Sequence, residues 1–302
     1  MNLYATGFNA WRQLEFPPLE DSTREPDDVP SFRKVLSDEL IEIQYTSLTC
    51  TIVNTSVGLK YAGFLDENAK SGLEQKLLSH TAAVAENGTV AIYDGHSTIT
   101  QYDSLLSSVK TENGRAFSGM DDIIQLVAYE TGFVALSRHG KVWSWGDERY
   151  AASLGREITM SSPACRPGLV EDLEGLPSGR IKRVAAAGYT TLALTEGNDL
   201  YAWGGHPARH LILETLSNIP NLVDVEEKDI LDFSVGEMHM IVLDVDGGVY
   251  VSGDNTNGQL GLPVERISAW KKVPLSLRGE IIVGIKAGKR SSFIVTKNTH
   301  VD

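Results

Sequence analysis

Apolar and polar side chains alternate in short runs along most of the chain, usually two runs at a time with a glycine-bearing turn between them. Residues two apart on a strand share a face, so each run predicts a strand with one buried side and each pair predicts a hairpin. Two stretches set the pattern: Val184-Ala-Ala-Ala-Gly-Tyr-Thr-Thr-Leu-Ala-Leu-Thr-Glu-Gly-Asn-Asp-Leu-Tyr-Ala-Trp-Gly204 and Phe233-Ser-Val-Gly-Glu-Met-His-Met-Ile-Val-Leu-Asp-Val-Asp-Gly-Gly-Val-Tyr-Val-Ser-Gly253. Residues 127–146 repeat it, residues 79–95 form a fourth copy, and residues 43–63 form a weaker fifth. Asn87-Gly88, His139-Gly140, Gly197-Asn198 and Gly247-Gly248 stand between the paired runs and predict two-residue hairpin turns with positive φ.

Each copy ends on a glycine. Gly7, Gly63, Gly95, Gly146, Gly204 and Gly253 recur at a period near fifty residues, and the short step to Gly95 means that this glycine is out of register or that its blade is trimmed. Three residues before the closing glycine stand Tyr4, Trp143, Tyr201 and Tyr250, with Ile92 as the exception, a slot that predicts packing between neighbouring sheets. Ile285-Lys-Ala-Gly-Lys-Arg-Ser-Ser-Phe-Ile-Val-Thr296 holds the opening strands of a repeat and stops, while Leu3-Tyr-Ala-Thr-Gly7 holds a missing final strand. An all-β chain with this period and a unit shared between its two ends predicts a β-propeller closed by pairing of the N- and C-terminal segments. Six blades fit the length, and residues 1–302 are expected to form a single domain.

The connecting segments vary. Residues 15–33 carry four prolines and an acidic excess, as a surface loop does; residues 97–120 are polar and poorly patterned; residues 207–218 (PARHLILETLSN) predict a short amphipathic helix.

Lys plus Arg number 27 against 40 Asp plus Glu, a formal net charge of −13, so the chain has no bulk attraction for nucleic acid or an anionic membrane. Direct nucleic-acid or membrane binding is not expected, and basic protein partners are. Two cysteines, Cys50 and Cys165, exclude a disulfide framework and agree with a reducing compartment, cytoplasm or nucleus. Asn54-Thr-Ser and Asn87-Gly-Thr fit the glycosylation pattern, but no secretion signal precedes them.

The wording of the repeats resembles the regulator of chromosome condensation family. Val-Ala-Ala-Ala-Gly-x-Thr-Thr-Leu-Ala-Leu-Thr-Glu-Gly-x-x-Leu-Tyr-Ala-Trp-Gly matches its repeat, and Ser252-Gly-Asp-Asn-Thr-Asn-Gly-Gln-Leu-Gly261 matches the stretch around and after the closing glycine. Gly7-Phe-Asn-Ala-Trp-Arg-Gln-Leu14 is a degenerate copy, while Ser79-His80-Thr81 and Met238-His239-Met240 stand where the family often has its His-Thr pair. The resemblance is strong over residues 127–262 and weak over residues 41–119. It implies a propeller, usually of seven blades. The founding member is an exchange factor for the small GTPase Ran and binds chromatin through a basic tail, whereas this chain opens and closes on blade sequence. Other relatives are binding platforms, among them the alpha-tubulin suppressor proteins, which partner a small zinc protein, and partners of chromatin-modifying enzymes.

Catalytic candidates are weak beside their structural alternatives. Gly284-Ile-Lys-Ala-Gly288-Lys289-Arg-Ser291 is one residue short of a phosphate loop and aligns with a repeat opening. His206 and His210 lack a third metal ligand at suitable spacing, and Asp244-Val-Asp246 occupies a hairpin-turn slot without the downstream glutamate of a calcium loop. The small residues at 185–188, 234–236 and 287–288 suit close approach of strands, and Asn255, Gly258 and Gln259 suit a turn. No catalytic group, metal or cofactor is expected. The remaining chemistry lies in loops, where Trp, Tyr and Arg are the usual anchors of protein interfaces. Trp11, Arg12, Asp147, Glu148, Arg149, Tyr150, His206, Arg209, Asp254 and Trp270 are the candidate partner-binding residues. The expected function is a non-enzymatic scaffold, monomeric on its own, that binds a protein such as a small basic protein or a small GTPase. The alternative is a guanine-nucleotide exchange factor for a Ran-like GTPase.

Overall fold

A computed structural model describes residues 1–17, 24–65 and 82–299. Ser79, His80, Thr81 and the middle of the proline-rich loop lie outside the described residues. The closure sheet takes β1 (Asn2–Gly7) and β2 (Val29–Ser37) from one end of the chain and β22 (Glu280–Ala287) and β23 (Ser291–Asn298) from the other. A second sheet is β3 (Ile41–Thr46), β4 (Cys50–Thr55) and β5 (Gly58–Gly63). The third is β6 (Ala82–Val84), β7 (Val90–Tyr93), β8 (Thr98–Tyr102) and β9 (Arg115–Ser118), with helix α1 (Leu105–Lys110) between its last two strands. The fourth holds β10 (Ile123–Tyr129), β11 (Gly132–Ser137), β12 (Val142–Gly146) and β13 (Gly168–Leu169). The fifth holds β14 (Ile181–Ala187), β15 (Thr190–Thr195), β16 (Leu200–Gly204) and β17 (Asn221–Leu222). The sixth holds β18 (Ile230–Val235), β19 (His239–Asp244), β20 (Val249–Asp254) and β21 (Arg266–Lys272). All pairings are antiparallel.

The sheets group into two compact units. Residues 1–74 with 225–302 form one and residues 75–224 form the other. In the first, β1 pairs with β23 in unbroken register from Asn2 opposite Thr296 to Gly7 opposite Ser291, so the two ends of the chain share one sheet as the split repeat predicts. Leu3, Ala5, Phe293 and Val295 of that sheet pack with Ile41, Val53 and Ala62 of the second. Its other face meets the sixth sheet through Ile241, Leu243, Val249 and Val251 against Ile285, Ala287 and Ile294, with Tyr4 packed on this cluster. In the second unit, Trp145 and Phe133 close the contact between the third and fourth sheets, and Trp203, Val184 and Tyr129 close that between the fourth and fifth. Trp143 and Tyr201 pack on those two clusters, so the aromatic slot does what its position predicts.

The hairpin turns, which join the second and third strands of the fourth, fifth and sixth sheets but the first two strands of the third, correct one expectation. They are three-residue loops, a tight turn followed by one residue of positive φ, and not two-residue turns. Ala85, Ser137, Thr195 and Asp244 each bond through the backbone N–H to the carbonyl four residues on, at 2.9 to 3.0 Å. The positive φ falls at Gly88, Gly140, Asn198 and Gly247, so within two of the glycine pairs it is the other residue, or the other glycine, that was free to vary. In three turns the first side chain caps the loop: Ser137 Oγ, Thr195 Oγ1 and Asp244 Oδ1 accept from the N–H of Lys141, Asp199 and Gly248. The calcium-like Asp244 is a turn former.

Five closing glycines have one physical cause. A Cβ on Gly7, Gly63, Gly146, Gly204 or Gly253 would lie 2.1 to 2.8 Å from the carbonyl oxygen of Arg290, Thr49, Thr131, Tyr189 or Met238, the residue just before the second strand. The residue after the glycine then donates its N–H to that oxygen, as Phe8, Phe64, Gly205 and Asp254 do at 2.8 to 2.9 Å. Gly95 is different: nothing lies within 4 Å of its would-be Cβ, and it forms a turn in which Asp94 Oδ1 accepts from the N–H of His96, Ser97 and Thr98. It is out of register, as its short spacing suggests. Two further expectations fail. Residues 97–120 contain β8, α1 and β9 and complete the third sheet. Residues 207–218 form successive turns and no helix, because Ile212, Leu213 and Leu216 are buried by the loop folding over the sheet.

Candidate functional site

The segment after each closing glycine presents most of the candidate residues, and its shape is set by side-chain to backbone bonds. In the sixth sheet Asn255 Oδ1 accepts from Leu260 N–H at 2.7 Å, and Gln259 Oε1 accepts from Asn257 N–H at 3.0 Å. The closure sheet repeats both, Asn9 to Leu14 and Gln13 to Trp11, each at 3.0 Å. Asn9, Gln13, Asn255 and Gln259 are all buried, so they shape the turn. The register places Arg12 where the other copy has Gly258, and both take positive φ, 58° and 81°. Arg12 bonds Glu15 at 2.7 Å, Trp11 is half-exposed against Phe64 with ring centroids 6.0 Å apart, and Asp254 accepts from Thr256 and Gln259. Trp270 lies near the end of the outer strand β21, partly buried, with its indole N–H unbonded.

In the second unit the same segment is wound into a 3₁₀ turn, Glu148–Leu154, begun by Asp147, whose carboxylate accepts the Arg149 N–H at 3.0 Å. Arg149 folds back on Asp147 through Nε and Nη2, and these bonds hold the Asp147 carboxyl below its ordinary pKa. The buried indole of Trp203 donates to Ser153 O at 3.2 Å, and Ser153 Oγ donates to Tyr189 O at 3.0 Å. Gly155 is required here, since a Cβ would lie 2.4 Å from the Trp203 ring nitrogen. These bonds draw the turn from the fourth sheet over the fifth and bring three rings together. Tyr150 and Tyr189 lie 4.7 Å apart, Tyr189 and His206 4.7 Å, and Tyr150 and His206 5.4 Å between centroids. The guanidinium of Arg149 stands 5.8 Å from the Tyr150 centroid and that of Arg209 5.8 Å from Tyr189. His206 Nδ1 accepts the Ala208 N–H at 3.0 Å, which fixes the ring's orientation.

Four candidates, Arg149, Tyr150, His206 and Arg209, thus share one cluster with Asp147 beside it, while Glu148 is exposed at its edge. Sequence reasoning missed Tyr189, the ring at the centre. It is buried, and burial first, then its bond to Tyr150, push its phenol up to about 12. Its signal was a lone large ring beside Gly188 in a turn otherwise built of small residues.

The other motifs resolve as structure. The Gly284–Ser291 segment spans the ends of β22 and β23 and their hairpin. At the small-residue stretch a Cβ on Gly236 would lie 2.4 Å from Gly288 O, the close approach of strands that such residues allow. Among the described residues no three of His, Cys, Asp and Glu converge as metal ligands, and no helix is long and apolar enough to cross a membrane. Cys50 is buried and its thiol is pushed up to about 11 by desolvation, while Cys165 is exposed; both are free.

The six sheets, their glycine anchors and the shared closure sheet define a β-propeller of repeated blades. The family model described as regulator of chromosome condensation (RCC1) repeat matches residues 230–259, which run from β18 to the turn after Gly253. The chain is 34% identical over 146 residues to human probable E3 ubiquitin-protein ligase HERC6, covering 46% of this chain and 14% of that protein. It is 29% identical over 153 residues to the regulator of chromosome condensation of Xenopus laevis, covering 49% of this chain and 34% of the relative. It therefore spans a minor part of either. The crystal structure of Kap60 bound to yeast RCC1 (Prp20) superposes with a TM-score of 0.71 at 13% identity, covering 98% of this chain and 89% of that one. The structure of Saccharomyces cerevisiae Prp20p, described with its binding properties to Gsp1p and histones, gives 0.67 at 12% identity, covering 98% and 91%. Residues 230–259 thus match an RCC1 repeat, and the whole chain shares the propeller fold of the solved RCC1 structures.

Proposed function

We propose that this chain is a non-enzymatic propeller, acting as one domain in cytoplasm or nucleus, whose loops bind a basic protein partner. The observation that carries the reading is the convergence of Tyr150, Tyr189 and His206 between two guanidinium groups. Rings with polar tips and planar cations, held in place before binding, are what interface hot spots are made of, because little conformational freedom remains to be lost. The net charge of −13 supports a basic partner and an association that weakens with salt. Prp20p, a structural neighbour, has been studied for binding to histones, which is consistent with the same partner chemistry. The test is affinity purification from cell extract at low and physiological salt with the intact chain and with Tyr150→Ala plus Arg209→Ala. The reading expects a basic protein recovered by the intact chain and lost with the double variant; recovery of chaperones alone contradicts it.

A second reading, exchange on a small GTPase, is favoured by the Xenopus relative and by the study of Prp20p with Gsp1p. Exchange needs only a surface that prefers the nucleotide-free state. Release of a fluorescent nucleotide from a panel of GTPases that includes Ran decides it, and unchanged release at micromolar chain ends it.

A further inference from the structure

Arg156 is 8% exposed, and every contact of its guanidinium is to a neutral oxygen. Nε donates to Ser144 O at 3.2 Å. Nη1 donates to Glu157 O, Ser162 O and Ser162 Oγ at 3.2, 3.0 and 3.0 Å. Nη2 donates to Pro163 O and Arg166 O at 3.1 and 3.0 Å. A buried arginine is normally matched by a carboxylate, because removing its charge from water is costly. Here the cation instead folds residues 157–166 around itself, and among the described residues no carboxylate pairs with it. Gly168 leaves room for the arrangement, since a Cβ there would lie 2.4 Å from the guanidinium carbon and 2.5 Å from Ser162 Oγ.

The loop is made of potential acceptors of a phosphoryl group. Thr159 and Ser162 bond each other's backbone at 3.2 Å in both directions, and Ser161 and Thr159 share a hydroxyl contact. Ser162 is the half-buried member. Its hydroxyl is the one in contact with Arg156, and Ser162-Pro163 is the sole Ser-Pro or Thr-Pro pair in the sequence.

We propose that Ser162 is a phosphorylation site for a proline-directed serine/threonine kinase and that Arg156 is the built-in partner of the phosphate. Ser162 Oγ attacks the γ-phosphorus of ATP, the bond from that phosphorus to the bridging oxygen breaks, ADP leaves, and the hydroxyl proton passes to the kinase's base. The phosphoserine dianion supplies the counter-charge that the guanidinium lacks, exchanging one neutral hydrogen bond for charge-assisted, two-point recognition. Because the 3₁₀ turn that carries Tyr150 ends at Leu154, two residues before Arg156, the new charge falls on the loop that continues from the ring cluster.

The test incubates the full folded chain with ATP, magnesium and a proline-directed kinase, followed by intact mass, fragmentation and thermal melting. One phosphoryl group on Ser162 is expected, absent in Ser162→Ala and slowed at least ~10-fold in Pro163→Ala, which keeps both the serine and the carbonyl that Arg156 uses. The modified chain is expected to melt ~2–4 °C higher than the unmodified one, the shift that one added charge-assisted contact gives a domain of this size. No incorporation into the folded chain, incorporation at Thr159 or Ser161 instead, an undiminished rate in Pro163→Ala, or a lower melting temperature overturns the proposal.

Discussion

The phenol of Tyr4 donates to the carboxylate of Glu280 at 3.1 Å across almost the whole length of the chain. Glu280 also accepts from the Thr296 hydroxyl, and Asn2 beside it accepts from Ser37 Oγ at 2.6 Å. One carboxylate on β22 is thereby connected to β23, β1 and β2, the four strands of the sheet that the two chain ends share. The hydroxyl bonds and the charge of Lys34 hold the Glu280 carboxyl below its ordinary value in spite of the opposing effect of burial. Closure therefore rests on a polar network as well as on the β1–β23 ladder.

Tyr4→Phe keeps the ring on its apolar cluster and removes only the hydroxyl, so it is expected to cost about 1 kcal/mol. Glu280→Ala removes the hub and leaves the Thr296 and Tyr4 hydroxyls without their acceptor, for a larger loss of about 2–3 kcal/mol. Because the folded-state pKa of Glu280 is depressed, its contribution is present above the ordinary carboxylate range and lost as pH falls through the folded value. Urea melts at neutral and acid pH check both the ranking and the sign.

His239 is fully buried, with Nε2 bonded to Ser291 O and Ser292 Oγ at 3.2 and 3.0 Å and Nδ1 unbonded. Desolvation lowers it from 6.5 to about 4. The neutral ring is the folded form, so stability from this site is complete above pH 6.5, falls between 6.5 and about 4, and levels off below. The total is on the order of 3 kcal/mol. The difference in unfolding free energy between the chain and His239→Gln, followed across that range, isolates it from the carboxylates; a difference that does not narrow toward acid pH contradicts the assignment.

Gly204→Ala and Gly95→Ala separate close approach from backbone strain. Both glycines have positive φ, 111° and 83°, but only at Gly204 would the Cβ meet an oxygen, Tyr189 O at 2.1 Å. The first substitution is expected to cost about 3 kcal/mol or more and the second about 1 kcal/mol. Thermal melting of the two proteins gives the comparison.

Arg156→Ala is expected to cost about 2–4 kcal/mol, since it removes a donor shared by five carbonyls, of which Ser162 O and Pro163 O keep a backbone N–H. The loss is local first: limited proteolysis should cut within residues 157–166 at protease levels that leave the unaltered chain intact, with Met160 already fully exposed at the tip.

The hairpins, the aromatic slot and the split closure sheet were legible because each is a periodic consequence of strand alternation and close packing. Gly7, Gly63, Gly146, Gly204 and Gly253 repeat because five turns place a carbonyl against the same Cα. The exceptions arise where another interaction replaces the usual residue. Arg12 occupies a glycine slot, its left-handed backbone offset by the Glu15 contact, and Asn198 takes the positive φ that a neighbouring glycine advertises. Residues 97–120 were unreadable because β8 and the edge strand β9 bury few side chains and so show little alternation. Of the ring cluster, the loop members were legible by composition. Tyr189 was not, because its partners are rings from other loops, and the role of Arg156 was not, because its partners are mostly backbone carbonyls.

Native-state hydrogen exchange across β1 and β23 tests the central claim, a propeller locked by its own two ends. The account predicts that the amides of Asn2–Gly7 on the ladder exchange only with opening of the whole closure sheet, at the same free energy as their partners in Ser291–Asn298. Fast exchange throughout β1 while β22 and β23 stay protected would contradict it.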